Sequence, residues 1–259
     1  MSDQALYVYG VMAAPGEPAR AYDADGVGGA RVRLLVADDL AALVSDTGTA
    51  PVQRTRRNML AHTAVLEQAM PCATVLPLRF GTVAPDAAAL AACIGGNRGA
   101  FRAALRDIDG RVELGVKASW KPGHVFTHVV ERDPSLRSLR DKLRSRPQGE
   151  TYYERIELGR RVEAALAQLR ITEAAAIMAE LEPIAEREAE LKPHDDDMIF
   201  NRAFLVRRAA EAAFDAAVER MAERCADRIA FRYVGPVPPF NFVSLQAGWL
   251  TAPQTAGGV

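Results

Sequence analysis

No apolar run in this 259-residue chain approaches the roughly 20 residues that a bilayer-spanning helix needs, so no membrane helix is expected. The opening residues, MSDQALYVYG, lack a basic start followed by an apolar segment, and no secretory signal is expected. Cysteine is scarce. Cys72, Cys93 and Cys225 are far apart, odd in number and outside any CxxC or Cys/His spacing, which argues against zinc and fits a reducing cytosol. Only four histidines occur, His62, His124, His128 and His194. His124 and His128 could share a helix face as metal ligands, but no third ligand lies nearby in sequence. An excess of charge is also missing. With 32 Lys and Arg against 33 Asp and Glu the net charge is -1, which argues against a general affinity for nucleic acid. Nucleophile elbow, HExxH, Ser-Lys pair and phosphate loop are all absent. Gly26, Gly28 and Gly29 fit neither GxGxxG nor a GK[ST] ending, so a hairpin connection is expected there.

What remains is globular composition: 49% hydrophobic and 25% charged residues, enough chain for one large or two ordinary domains. Leu6–Met12, Val32–Ala37 and Leu40–Ser45 read as strands. Thr55–Met70 has apolar residues at helical spacing and stops at Pro71. Ala73–Val83 is extended and mostly apolar, with Pro77 marking an edge. Arg79 sits there between Leu78 and Phe80, where burial would demand an ion pair and exposure would make it an interface residue. Two short helices follow, Asp86–Ile94 and Asn97–Asp107, split by Gly95-Gly96.

Val112–Trp120 alternates cleanly, with Val112, Leu114, Val116, Ala118 and Trp120 on a core face. Glu113, Gly115, Lys117 and Ser119 lie on a face for solvent or a partner. His124–Arg132 suits strand or helix, and Asp133-Pro134 is a cap pair for a helix to about Leu143 whose arginines read as a solvated face. A helical pattern then runs from Thr151 to about Leu191, kinking or ending near Pro183, with an apolar seam for a helix or a partner. Its first half is expected to cross its own sheet. Lys192–Asp197 lacks the calcium-loop pattern and reads as an acidic turn. Met198–Val206 is a strand, and Phe214, Val218, Met221 and Cys225 stripe the next helix.

Ile229–Val243 ends the chain's regular structure. Ile229, Phe231 and Tyr233 alternate with Ala230, Arg232 and Val234 before Gly235-Pro236 stops the strand. Pro236, Pro238 and Pro239 exclude an inner strand and predict a stiff, polyproline-like arm carrying Phe240 and Phe242. That arm is either a latch on the protein's own core or a preformed edge for a partner. From residue 111 the order of elements fits a split βαβ, ferredoxin-like sheet with helices on one face. The division expected is 1–109 for an N-terminal α+β domain, 110–250 for a ferredoxin-like domain with its long helix at about 151–191, and a flexible tail at 251–259.

Five stretches together resemble the gas vesicle protein GvpL/GvpF family: YVYGV at 7–11, LPLRFGTV at 76–83, ELGVKASW at 113–120, NRAFLV at 201–206 and GPVPPFNFV at 235–243. The last departs from the family's usual G-P-W-P-P-Y-S/N-F at Val237 and Phe240, so a hydrogen bond made by the usual Trp or Tyr does not carry over. The resemblance implies an α+β protein of two domains, the first of unusual arrangement and the second a modified ferredoxin-like fold. It implies a gas vesicle accessory or minor structural protein in the gas vesicle or cytoplasm, with a role in buoyancy and no cofactor, metal or catalytic residue. Its partners would be the hydrophobic shell subunit and other gas vesicle accessory proteins, and it would limit aggregation of that subunit and help nucleate the shell. Nucleic acid and membrane are not expected partners. Candidate contact residues are Leu78, Arg79, Phe80, Arg232, Tyr233, Phe240 and Phe242. Two other readings stand beside this one: a ferredoxin-like small-molecule enzyme or sensor with a pocket of Arg232, Tyr233 and Lys117, and an RNA binder, whose aromatic signature is absent.

Overall fold

The computed structural model describes residues 4–16, 25–48 and 51–243, without the side chains of His124 and Gln148. The expectations for the opening residues 1–3 and the tail from 251 fall outside them. The chain forms two compact units, Met1–Glu113 together with Gly235–Val259, and Leu114–Val234. The proline segment therefore belongs with the first unit, whereas its sequence position suggested the second.

The first unit is an antiparallel sheet of β1 (Leu6–Ala13), β2 (Val32–Ala37), β3 (Leu40–Asp46), β4 (Val75–Pro77) and β5 (Val83–Ala84). Its order is β2-β3-β1-β4, with β5 also on β1. Pro77 closes the short edge strand β4, where a missing donor costs no ladder bond. β1 is buried on both faces because helices cover each. α1 (Arg56–Ala69) lies on one side; α2 (Ala87–Gly96) and α3 (Arg98–Ile108) lie on the other. Thr55 caps α1 by accepting from the Asn58 N–H at 3.2 Å, and Asp86 caps α2 through the Ala89 N–H at 2.7 Å. Asp38 takes φ 55° in the β2–β3 turn, a conformation Asp tolerates, and Asp39 beside it binds Arg98 and Arg102 of α3.

A bulge sets which side chains meet. Val8 pairs with Val44 but Gly10 pairs with Leu43, so Tyr9 is the extra residue. Alternation flips across it. Tyr7, Tyr9 and Met12 face α1, while Leu6, Val8 and Val11 face α2 and α3. Full burial of a side chain such as Leu43, Leu66 or Leu76 stabilises the unit by roughly 1.5–3 kcal/mol each.

The second unit has sheet order β7-β8-β6-β9, built from β6 (Arg111–Trp120), β7 (Arg187–Glu190), β8 (Met198–Arg207) and β9 (Ile229–Val237). The Trp120 N–H reaches the Asp197 carbonyl at 2.9 Å and Lys121 N–H the Arg228 carbonyl at 2.8 Å, so the end of β6 meets the starts of β8 and β9. This is the strand order of a ferredoxin-like βαββαβ unit. Its modification is an extra helical pair, α4 (His124–Arg132) and α5 (Pro134–Arg144), ahead of the long α6 (Tyr152–Leu181); α7 (Glu211–Arg224) makes the second crossover. His124–Arg132 is thus helix. Asp133 caps α5 as its sequence predicts, accepting from the Ser135 and Leu136 N–H groups at 2.8 and 3.2 Å.

α6 departs from expectation twice. It stops at Leu181 rather than about Leu191, because Pro183 lacks a donor and disfavours helix before it. Arg187–Glu190 then pairs antiparallel with β8, where Glu188 and Glu190 hold Arg202 at 2.7 and 3.5 Å. Strand pairing overrides the helical preference of REAE. The halves of α6 are also exchanged relative to expectation. Leu158, Val162, Leu166 and Leu169 pack on Val129, Val130 and Leu136 of α4 and α5, and the buried Ile177 and Leu181 lie in the half whose Glu180 holds Arg224 of α7.

Candidate partner-binding site

Around His62 of α1 the first unit assembles a ring cluster. His62 is buried, with ring centroids of Tyr9 at 5.6 Å, Tyr7 at 5.7 Å, Phe80 at 5.8 Å and Phe240 at 6.3 Å. Alternation along β1 places both tyrosines on the α1 side, and the bulge after Tyr9 brings Met12 rather than Val11 to that side beyond them. The Tyr9 hydroxyl lies 2.8 Å from Ser45 Oγ and accepts the Val27 N–H at 2.8 Å. Tyr7 accepts the Gly81 N–H at 3.1 Å and meets His62 Nδ1 at 2.9 Å. With Gly81 donating, the tyrosine proton is placed to go to Nδ1, which leaves the imidazole proton on Nε2. Burial pushes both phenol pKa values up. Burial pushes His62 down to about 4, against a weaker opposing pull from the Leu78 backbone. Nε2 makes no hydrogen bond of ordinary geometry among the described residues.

Gly26 lets Tyr9 into this cluster. A Cβ there would lie 2.3 Å from the Tyr9 hydroxyl and 2.7 Å from the Ala30 carbonyl oxygen. Gly26→Ala is therefore expected to displace the tyrosine and destabilise the protein by about 1–3 kcal/mol, seen as an earlier urea midpoint. An unchanged midpoint contradicts this account.

The C-terminal segment docks on the same unit. Pro238 and Pro239 are buried, Phe240 packs against the α1-side core and Val243 against the opposite one. Buried Glu113 grips Asn241, whose N–H donates to Oε2 at 2.8 Å and whose Nδ2 donates to Oε1 at 2.6 Å. Glu113, read from alternation as a solvent or partner-facing residue, is thus a buried clamp; burial raises its carboxyl pKa while the two Asn241 donors lower it. The segment is not an extended polyproline arm. Phe240 N–H bonds to the Pro238 carbonyl at 2.7 Å and Phe242 N–H to Pro239 at 3.2 Å, which closes a turn. The latch is what forms.

Of the residues singled out from sequence, Phe80 and Phe240 meet across His62. Leu78 is buried in the core on the α2 and α3 side, and Phe242 is half-buried in the turn. Arg79 is exposed at the tip of the β4–β5 turn, where the Thr82 hydroxyl donates to its carbonyl at 2.7 Å, so no buried ion pair is required. Arg232 and Tyr233 lie on β9 in the second unit. As strand neighbours they face opposite sides, and the groups of the supposed pocket are engaged apart. The Tyr233 hydroxyl donates to Asp215 of α7, Lys117 Nζ donates to His194 Nε2 at 3.2 Å, and Arg232 is exposed. They do not converge on one ligand. No group of three or more potential metal ligands occurs among the described residues, and the His124 side chain falls outside them. The His62 cluster was not legible in sequence, because Tyr7, His62, Phe80 and Phe240 come from β1, α1, the β4–β5 turn and the returning segment, which only the tertiary fold brings together.

The family model of the gas vesicle synthesis protein GvpL/GvpF matches residues 5–244. The chain belongs to this family. It is 34% identical over 239 residues to gas vesicle protein F of Streptomyces sp. (strain CB03234), covering 92% of this chain and 98% of that protein. Against gas vesicle protein L of the same organism it is 28% identical over 275 residues, covering 99% of each. The crystal structure of GvpF from Anabaena sp. PCC7120 superposes with a TM-score of 0.81 at 26% identity, covering 93% of this chain and 99% of that one. The stretches that carried the GvpL/GvpF resemblance are β1, the β4–β5 turn, β6, β8 and the docked C-terminal segment. Three of them are central strands of the two sheets. No helix among the described residues is long and apolar enough to cross a membrane.

Proposed function

We propose that this GvpL/GvpF protein is a non-enzymatic assembly factor that binds the hydrophobic gas vesicle shell subunit, limits its aggregation and helps nucleate the shell together with other accessory proteins. The observation that carries the reading is the pair of half-buried rings, Phe80 and Phe240, set on either side of His62. Buried prolines and the Glu113 clamp hold Phe240 in place, and a rigid aromatic ring beside an exposed arginine, Arg79, is the composition of an interface hot spot. Phe242 extends this surface, with Leu78 positioning the turn from below. Arg232 and Tyr233 on β9 offer a second contact at a sheet edge, where strand addition is open.

The test is recovery of the shell subunit with the tagged full chain from co-expressing cells, washed in rising salt. Recovery that survives high salt is expected, since apolar contact is not screened. Phe242→Ala and Arg79→Ala are expected to lower it several-fold, Arg79→Ala without moving the melting temperature because Arg79 is exposed. Recovery of accessory proteins alone, or of nothing, overturns the shell-binding role.

A further inference from the structure

α6 is apolar on two sides, and its own unit covers only one. The inward side packs on α4, α5 and β8. On the outward side Tyr153, Ile156, Arg160, Ala164, Ala167, Ile171 and Ala175 are exposed and lead to Met178; Tyr153 is 83% and Ile171 63% exposed. These positions follow spacings of 3, 4, 4, 3, 4, 4 and 3 residues. An eleven-residue repeat of this kind averages 3.67 residues per turn, so the stripe stays nearly straight along the helix. It covers about 37 Å at 1.5 Å per residue. A helix with apolar residues all round belongs in an interior, and small residues at its centre allow close approach of another helix.

The spacing reads the same from either end, as any stripe of this period does, and the order of side-chain sizes about its midpoint identifies the occupant. We infer that the outward stripe of α6 pairs antiparallel with the same helix of a second copy of this chain. A two-fold axis between Ala165 and Leu166 sets Tyr153 opposite Met178, Ile156 opposite Ala175, Arg160 opposite Ile171 and Ala164 opposite Ala167. Large thus meets small or flexible at the three outer levels and alanine meets alanine at the centre; a thioether meets an aromatic ring, and the Arg160 stem covers an isoleucine while its head reaches water. An isologous contact needs this self-complementarity. The flanking charges do not oppose it. Glu157 and Arg161 are paired along the helix at 3.8 Å, and Arg170, which would face Arg161, lies over the Trp120 ring and donates to the Asp196 carbonyl. The inference is independent of which gas vesicle protein the chain binds.

Sedimentation of the full chain over a concentration series tests it. A monomer–dimer equilibrium is expected, weakened at least tenfold by Ile171→Glu and by Tyr153→Glu, with the melting temperature of dilute, monomeric protein unchanged because both side chains are exposed in the single chain. Orientation is read in a Cys72→Ser background. Ile156→Cys mixed with Ala175→Cys is expected to give disulfide-linked dimer, and Ile156→Cys alone none. A chain that stays monomeric into the hundreds of micromolar, a dimer indifferent to Ile171→Glu, or self-linking of Ile156→Cys each overturns the pairing. If the chain is monomeric and Ile171→Glu instead reduces recovery of the shell subunit, the stripe belongs to that partner.

Discussion

Between pH 7 and pH 4 the protein is expected to lose about 3 kcal/mol of unfolding free energy through His62 alone, because the imidazole titrates near 4 when folded and near 6.5 when unfolded. The sign follows from proton uptake. Across that window the unfolded chain binds the proton and the folded one does not, so the stability present above pH 6.5 falls steadily as the pH drops towards 4. The cause is local. Nδ1 already takes the Tyr7 hydroxyl proton, and an added charge would sit among Tyr9, Phe80 and Phe240 with no carboxylate in the ring cluster. Glu113 works the other way, since a carboxyl raised by burial favours folding at low pH and offsets part of the slope. Urea unfolding at half-unit pH steps gives the profile, and His62→Phe isolates the contribution. The variant should keep the Glu113 part and lose the steep part between 6.5 and 4. An unaltered slope in the variant sinks the assignment.

Glu113→Gln is expected to cost about 1–3 kcal/mol although it changes one atom. The carboxylate accepts from both the backbone and the side chain of Asn241. An amide accepts with one atom only and turns an N–H group towards the other donor. Asn241→Asp alone should be worse, for it places two carboxylates together with only the backbone N–H between them. The double change, Glu113→Gln with Asn241→Asp, restores a donor to face an acceptor at each position. It should recover most of the loss. Proteolytic nicking after Gly235 and unfolding midpoints follow the four proteins; failure of the double variant to improve on either single one refutes the clamp.

Strands and helices with strong local signals were legible in the sequence. Thr55 and Asp86 open their helical stretches where the structure finds them as caps, Asp133 is a cap by residue type and position, and Val112–Trp120 declares its core face by alternation. The errors lie where distant residues decide. Glu113 reads as an outward residue until Asn241 returns to meet it. Arg187–Glu190 reads as helix until β8 supplies ladder partners. Tyr9 gives no sign of being the extra residue, because a bulge is a property of two strands and only one is seen at a time. The candidate surface was half visible: Phe80 stands out beside Arg79 in an apolar extended run and Phe240 beside prolines, while His62, which joins them, looks like one of four scattered histidines.

The first unit is written in two pieces, residues up to Glu113 and residues from Gly235, with the whole of the second unit between them. On the ribosome this separates the two pieces in time. Adding the intervening 114–234 at 5–20 residues per second takes roughly 6–24 s, and until then the ring cluster lacks Phe240 and the clamp lacks Asn241. The second unit can close first, although its chain begins later. An emerging N-terminal sheet with an unfilled aromatic face is a species that only synthesis past Asn241 removes, so a premature stop near residue 234 harms the part of the protein that was made first.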